Sequence, residues 1–177
     1  MHLDPTIVLV ITGGLCLLFF VAAYHKMADF DRHSSVVRVY RLVPEALVVP
    51  AALSVVAAEC TALVLLLWPA SRALGAVLAA ALLGLYAVAM AINLARGRFR
   101  IDCGCLGPGK RQWLRWSLVW RNTGFMLASL ALLLPTTSRP VGLMDLLVAM
   151  VAVVTLAILY AALVLLGSQG DRNVART

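Results

Sequence analysis

The chain has 177 residues, 63% of them hydrophobic and 13% charged, with a mean hydropathy of +0.96 and a net charge of +7. Soluble domains are about half apolar and about a quarter charged, so this is the composition of an integral membrane protein with no stretch left for a soluble domain. In a soluble chain the positive charge would suggest nucleic acid; here it lies in loops between apolar stretches, where it sets orientation in membrane lipid, and no nucleic-acid partner is implied.

A bilayer core of about 30 Å takes about 20 helical residues. Five stretches approach or exceed that length: 6–24, 46–68, 73–94, 117–134 and 141–166. The expected fold is therefore all-α, a polytopic membrane bundle of about five helices forming one integral-membrane domain over 1–177. The first stretch has no basic segment before it and reads as a retained span rather than a cleaved leader. Residues 25–44 form a polar, amphipathic connecting segment. Within it Val36, Val37, Val39, Tyr40 and Leu42 alternate with charges, as in a short helix lying along a membrane surface. Pro44 and Pro50 mark entry to the second stretch, and tight turns are expected at 68–72 and 134–140. The fourth stretch is short and carries Arg121 and Asn122 near its start. Trp113, Trp116 and Trp120 recur at three- and four-residue spacing, as in an interfacial aromatic belt on one helical face.

The basic residues alternate between loops. Thirteen lie after the first stretch, around 96–121 and in the tail, against only Arg72 and Arg139 in the other two loops. The positive-inside rule then places the N-terminus outside, and the C-terminus and the 96–116 basic loop in the cytoplasm. The expected location is the bacterial cytoplasmic (inner) membrane.

That basic loop holds the most informative chemistry, Asp102-Cys103-Gly104-Cys105. Two thiols separated by one glycine can close a very small ring, with Gly104 permitting the sharp turn. Strained disulfides are the oxidising, exchangeable ones. Neighbouring Arg and Lys side chains favour the reactive thiolate, while Asp102 opposes it. Redox exchange is the favoured reading. A metal site normally needs four ligands, and the loop offers no histidine and no further cysteine. A simple staple is the remaining alternative.

Cys16 and Cys60 lie within the first and second stretches. Each reads as a small buried hydrophobe. Counted from the outer ends, they differ in depth by only about 3 Å at the helical rise, which would allow a second thiol pair. Glu59 is the single acid deep in an apolar stretch, with no Lys or Arg nearby in sequence. It is expected either to be a neutral, hydrogen-bonded acid or to handle protons. Asn93, Arg121, Asn122, His25 and Lys26 are expected near the inner end, where they would support the Cys-Gly-Cys loop. No catalytic triad, phosphate loop or metal cluster is legible. No cofactor is evident, and a quinone is conceivable without a legible site.

Three segments carry a resemblance: His-Lys-Met-Ala-Asp-Phe at 25–30, Tyr-Arg-Leu-Val-Pro-Glu-Ala-Leu at 40–47, and Ile-Asn-Leu-Ala-Arg-Gly-Arg-Phe-Arg-Ile-Asp-Cys-Gly-Cys-Leu-Gly at 92–107. With Glu59 and Arg121-Asn122, these make the chain resemble the MauE family of methylamine-utilisation membrane proteins, within the wider MauE/DoxX group. The resemblance implies a redox accessory role in maturing methylamine dehydrogenase, whose small subunit carries many disulfides. It also implies a thioredoxin-like, MauD-like partner, with Cys103 and Cys105 as the exchanging pair. The competing readings are a non-catalytic membrane scaffold that docks a soluble redox partner, and a transporter of a small sulfur compound.

Overall fold

The computed structural model describes residues 3–99, 101, 113–137 and 139–174, with the side chains of the last helix described as far as Ala162. Cys103, Cys105, Gly104 and Asp102 lie outside the described residues. Six helices follow one another: α1 (Pro5–Ala28), α2 (Phe30–Tyr40), α3 (Val48–Leu67), α4 (Arg72–Ala95), α5 (Trp116–Ala131) and α6 (Leu143–Val174). Short 3-10 turns at Glu45–Leu47 and Pro69–Ser71 lead into α3 and α4. Every stretch expected to span forms a helix. Four are long and apolar enough to cross a membrane, namely Pro5–Ala28, Glu45–Leu67, Pro69–Ala95 and Leu143–Ala162. The fourth stretch, α5, has 16 residues, about 24 Å at the helical rise, and packs along α4.

The chain divides into two compact units, residues 1–14 with 135–177, and residues 15–134. In the first unit Asp4 caps α1, its Oδ1 accepting from the Thr6 N–H at 2.8 Å, just before a proline at the first helical position. Arg139 Nη2 reaches Asp4 Oδ1 at 3.0 Å and Asp145 Oδ1 at 2.7 Å. Leu3 and Thr136 form a short parallel bridge. The one basic residue of the 134–140 turn is thus matched by two carboxylates.

The second unit is a bundle. α1 and α2 are separated only by Asp29, which leaves helical geometry (φ −140°) and caps α2 by accepting from the Arg32 N–H. The amphipathic segment is therefore a helix, as its pattern predicts. It runs alongside α3 and buries His33 and Tyr40 against protein, although the pattern alone suggested a helix on a membrane surface. Three pairs set an antiparallel register along α3: Lys26 with Glu59, His33 with Ala52, and Arg38 with Glu45. In each, a step back along α1–α2 matches a step forward along α3. Trp116 and Trp120 are 52% and 72% exposed on α5, as an aromatic belt requires. Trp113 precedes the helix and does not share its face.

α3 and α4 approach most closely where α4 begins. A Cβ on Gly75 would lie 2.7 Å from the Leu66 backbone N and 2.9 Å from the Leu65 carbonyl carbon. Backbone cannot move aside as a side chain can, so only glycine fits. At Gly14, by contrast, a Cβ would meet nothing within 4 Å. Gly75→Ala is expected to destabilise the detergent-solubilised protein by about 1–3 kcal/mol through overpacking. Gly14→Ala should leave stability unchanged or slightly raised. Thermal unfolding of both variants checks the difference.

Candidate functional site

The residues that matter converge at the meeting of α1, α3 and α4. Glu59 stands eleven residues into α3, about 16 Å along it, and its side chain is fully buried. An acid there needs a partner. The helical break at Asp29 lets α1 and α2 together follow α3, so Lys26 arrives at the level of Glu59 and forms an ion pair with its Oε1. Tyr86 of α4 completes a triangle. Its hydroxyl donates to the same Glu59 oxygen at 2.6 Å and accepts from Lys26 Nζ at 3.0 Å. Lys26 Nζ also lies 4.8 Å from the centre of the Tyr86 ring. Glu59 is therefore paired by a lysine 33 residues away in sequence, beyond the reach of its own helix. Its Oε2 is buried with no hydrogen-bond partner among the described residues.

Beside this triangle lies a cavity of about 220 Å³ between α2, α3 and α4. Lys26, His33 and Tyr86 supply its polar wall, and Val36, Tyr40, Val55, Ala89 and Met90 are among its apolar walls. His33 is 8% exposed, and its Nε2 lies 3.3 Å from the Ala52 carbonyl oxygen. A carbonyl only accepts, so Nε2 carries the proton of the neutral ring and Nδ1 keeps its lone pair. Burial first, and the positive charge of Lys26 second, lower the His33 pKa to about 4, against the opposing hydrogen bond to Ala52.

The cavity shares Tyr40 and Met90 with a buried cluster that also contains Leu94, Ile101, Leu114 and Leu118. Within it the Leu114 N–H donates to the Ile101 carbonyl at 3.1 Å. This joins the two sides of the segment that contains Cys103 and Cys105. Asn93 is fully buried near the end of α4. Its Nδ2 donates to Ala89 O at 3.0 Å, and its Oδ1 accepts from Arg98 Nη1 at 3.0 Å. Gly97 (φ +73°) and Arg98 donate their backbone N–H groups to Leu94 O and Asn93 O, a Schellman ending that only a residue tolerant of left-handed backbone closes readily. Asn93 thus fixes the direction in which the chain leaves α4 toward Ile101.

The other expected support residues are dispersed. Asn122 is buried, and its Nδ2 donates within α5 to Leu118 O at 2.8 Å. Arg121 is half-buried beside it. His25 packs edge-on against Tyr24, 5.7 Å between ring centres. Cys16 and Cys60 are free thiols, half-buried on α1 and α3. Among the described residues no group of three His, Cys, Asp or Glu side chains could hold a metal. Tyr86 and His33 were not singled out from the sequence. A tyrosine in the middle of an otherwise aliphatic stretch was the available signal for the first, and a lone histidine in a charged segment gave none for the second.

Two outcomes follow from this geometry. Removing one member of a buried ion pair strands the other, at roughly 3–5 kcal/mol, whereas replacing both by apolar side chains is often neutral. Lys26→Met and Glu59→Leu should each lower the unfolding temperature in detergent, and the double variant should recover most of the loss. For His33, a folded-state pKa below the unfolded value means that the unfolded chain binds the extra proton first. Stability is complete above pH about 6.5 and falls as pH drops toward about 4, then levels off. His33→Gln, which retains a donor for Ala52, should flatten that part of a plot of unfolding temperature against pH.

The family model described as "Methylamine utilisation protein MauE" matches residues 4–135, a span that includes the ion pair, the cavity and the Cys-Gly-Cys segment. Three curated relatives, each named "Methylamine utilization protein MauE", align over nearly all of the chain. The protein from Methylorubrum extorquens is 40% identical over 169 residues, covering 94% of this chain and 90% of the relative. That from Paracoccus versutus is 37% identical over 173 residues, covering 96% and 92%. That from Paracoccus denitrificans is 34% identical over 186 residues, covering 98% and 94%. No solved structure matches. With the family model and full-length relatives in agreement, the chain belongs to the MauE family of methylamine utilisation proteins.

Proposed function

We propose that the chain is a thiol–disulfide redox accessory protein of the bacterial cytoplasmic membrane. In this reading Cys103 and Cys105 exchange a disulfide with a thioredoxin-like partner during maturation of methylamine dehydrogenase. The observation that carries the reading is the hydrogen bond between Leu114 and Ile101 inside a buried cluster. It joins Ile101 and Leu114, described residues on either side of the short segment that holds the two thiols. An exchanging pair gains from a fixed base, which the two flanking residues supply. Membership of a methylamine utilisation family supplies the pathway.

The exchange balances as two displacements. A thiolate of the partner attacks the Cys103–Cys105 disulfide, forming a mixed disulfide and releasing one thiolate of the pair. The partner's second thiolate then displaces the remaining cysteine. The partner is oxidised by two electrons and the pair is reduced by two, with direction set by relative potentials. Arg98 and the surrounding basic residues favour the thiolate form. The distribution of charge between the loops supports a cytoplasmic position for the pair.

Cys103→Ser and Cys105→Ser test the reading. One single variant should accumulate a mixed disulfide with the thioredoxin-like partner, the other should not, and neither should support maturation of the dependent enzyme. A membrane-impermeant maleimide applied to intact cells after reduction reports the side, and weak labelling is expected for a cytoplasmic pair. Normal maturation in both single variants would refute the redox reading and favour a scaffold.

A further inference from the structure

We propose that the cavity between α2, α3 and α4 binds the ring of a lipid-soluble quinone, which takes the electrons of the thiol pair; the electron-transfer half of this proposal rests on the redox reading above. Four observations lead there. The walls formed by Val36, Val55, Ala89 and Met90 are apolar, so a ligand with a hydrated or charged body would lose its solvation with nothing in return. The polar wall is chemically specific. Lys26 has three N–H donors, and among the described residues two are engaged, by Glu59 and Tyr86, which leaves one for a ligand. His33 holds its Nδ1 lone pair as an acceptor, because Nε2 donates to Ala52. One donor and one acceptor suit a group that alternates between carbonyl and hydroxyl.

Size is the third observation. At about 220 Å³ the cavity is smaller than the roughly 300–1,000 Å³ that takes a drug-sized molecule, so it admits one substituted ring. Leu42 and Leu85, 40% and 55% exposed on its lining, mark where an apolar tail would leave into lipid. The fourth is position. Tyr40 and Met90 belong both to the cavity and to the cluster that contains Ile101 and Leu114, so the ring would sit against the cluster from which the thiol-bearing stretch of sequence departs. The step balances. Two thiols form one disulfide and release two electrons and two protons, and the quinone takes up both pairs to become a hydroquinone. The pair then becomes an oxidant for its partner, whichever membrane face it occupies.

The test is equilibrium binding of decyl-ubiquinone to the purified full-length protein in detergent, with decanol as an acyl-chain competitor. Saturable quinone binding that decanol does not displace is expected. Val55→Phe and Ala89→Leu, which fill the cavity, should each weaken it at least about tenfold, equivalent to about 1.4 kcal/mol. Leu127→Phe, on the exposed face of α5, should not. Absence of saturable binding, displacement by decanol, or equal binding in filled and control variants overturns the site. Wild-type competition decides the matter even where a filled variant does not fold. The Cys103→Ser/Cys105→Ser double variant separates the two ideas. It should bind quinone as wild type does whether or not the cysteines are redox-active, so trapped mixed disulfides without quinone binding remove the site alone. Quinone binding with neither trapping nor quinone reduction removes the redox reading and leaves the site.

Discussion

The second unit depends on the ion pair of Lys26 and Glu59. A charged side chain in the centre of an apolar helix costs roughly 2.5–3.5 kcal/mol even by the gentlest scales, and here two are brought in from different helices. Neither is tolerable alone. Their pairing, completed by the Tyr86 hydroxyl, fixes the register of α1 against α3 and of α3 against α4 in a single contact. Away from the Gly75 contact, the apolar surface of α3 and α4 is Leu, Val and Ala almost all round and discriminates weakly between registers. A buried polar contact has one satisfactory arrangement, which is the best-attested use of such pairs. The glycine approach at Gly75 then sets how close α3 and α4 come, after the register has been decided.

The rest of the register follows from that contact. With Lys26 level with Glu59, one continuous descent of α1 and α2 brings His33 to Ala52 and Arg38 to Glu45. The Arg38–Glu45 pair is more than half exposed on both sides and contributes little energy. It reports the register rather than enforcing it. The break at Asp29 is what makes the descent possible. It redirects the chain by a single residue while Asp29 still caps the next helix, so a polar segment of eleven residues can pack on α3.

Much of this was legible beforehand, for identifiable reasons. Long apolar stretches have one folded outcome in a membrane, because every backbone group must be satisfied within the segment; the five helices were therefore readable, with only α5 falling short in length. Glu59 stood out for the same reason, since an acid among aliphatic residues is conspicuous. Its partner was not legible. Lys26 is 33 residues away and reads locally as the basic end of a span, where lysines are common. Nothing in composition says that α1 continues to Ala28 and carries Lys26 to the level of Glu59. The amphipathic pattern of α2 was read correctly as a helix, yet such a pattern does not say whether the apolar side meets lipid or protein. Trp113 fell outside its supposed helix because three-residue spacing is equally compatible with an extended lead-in.

The polar triangle stands on the wall of a cavity that close packing alone does not call for. Close packing normally removes voids of this size, since each unfilled volume forfeits dispersion contacts on every wall. The wall carries Lys26, His33 and Tyr86, and among the described residues their partners leave hydrogen-bonding capacity over. Tyr40 and Met90 then continue from that wall to the cluster that contains Ile101 and Leu114. Replacing Lys26 and Glu59 together by apolar side chains is close to neutral for stability, so packing energy alone gives no reason for a polar edge beside open space.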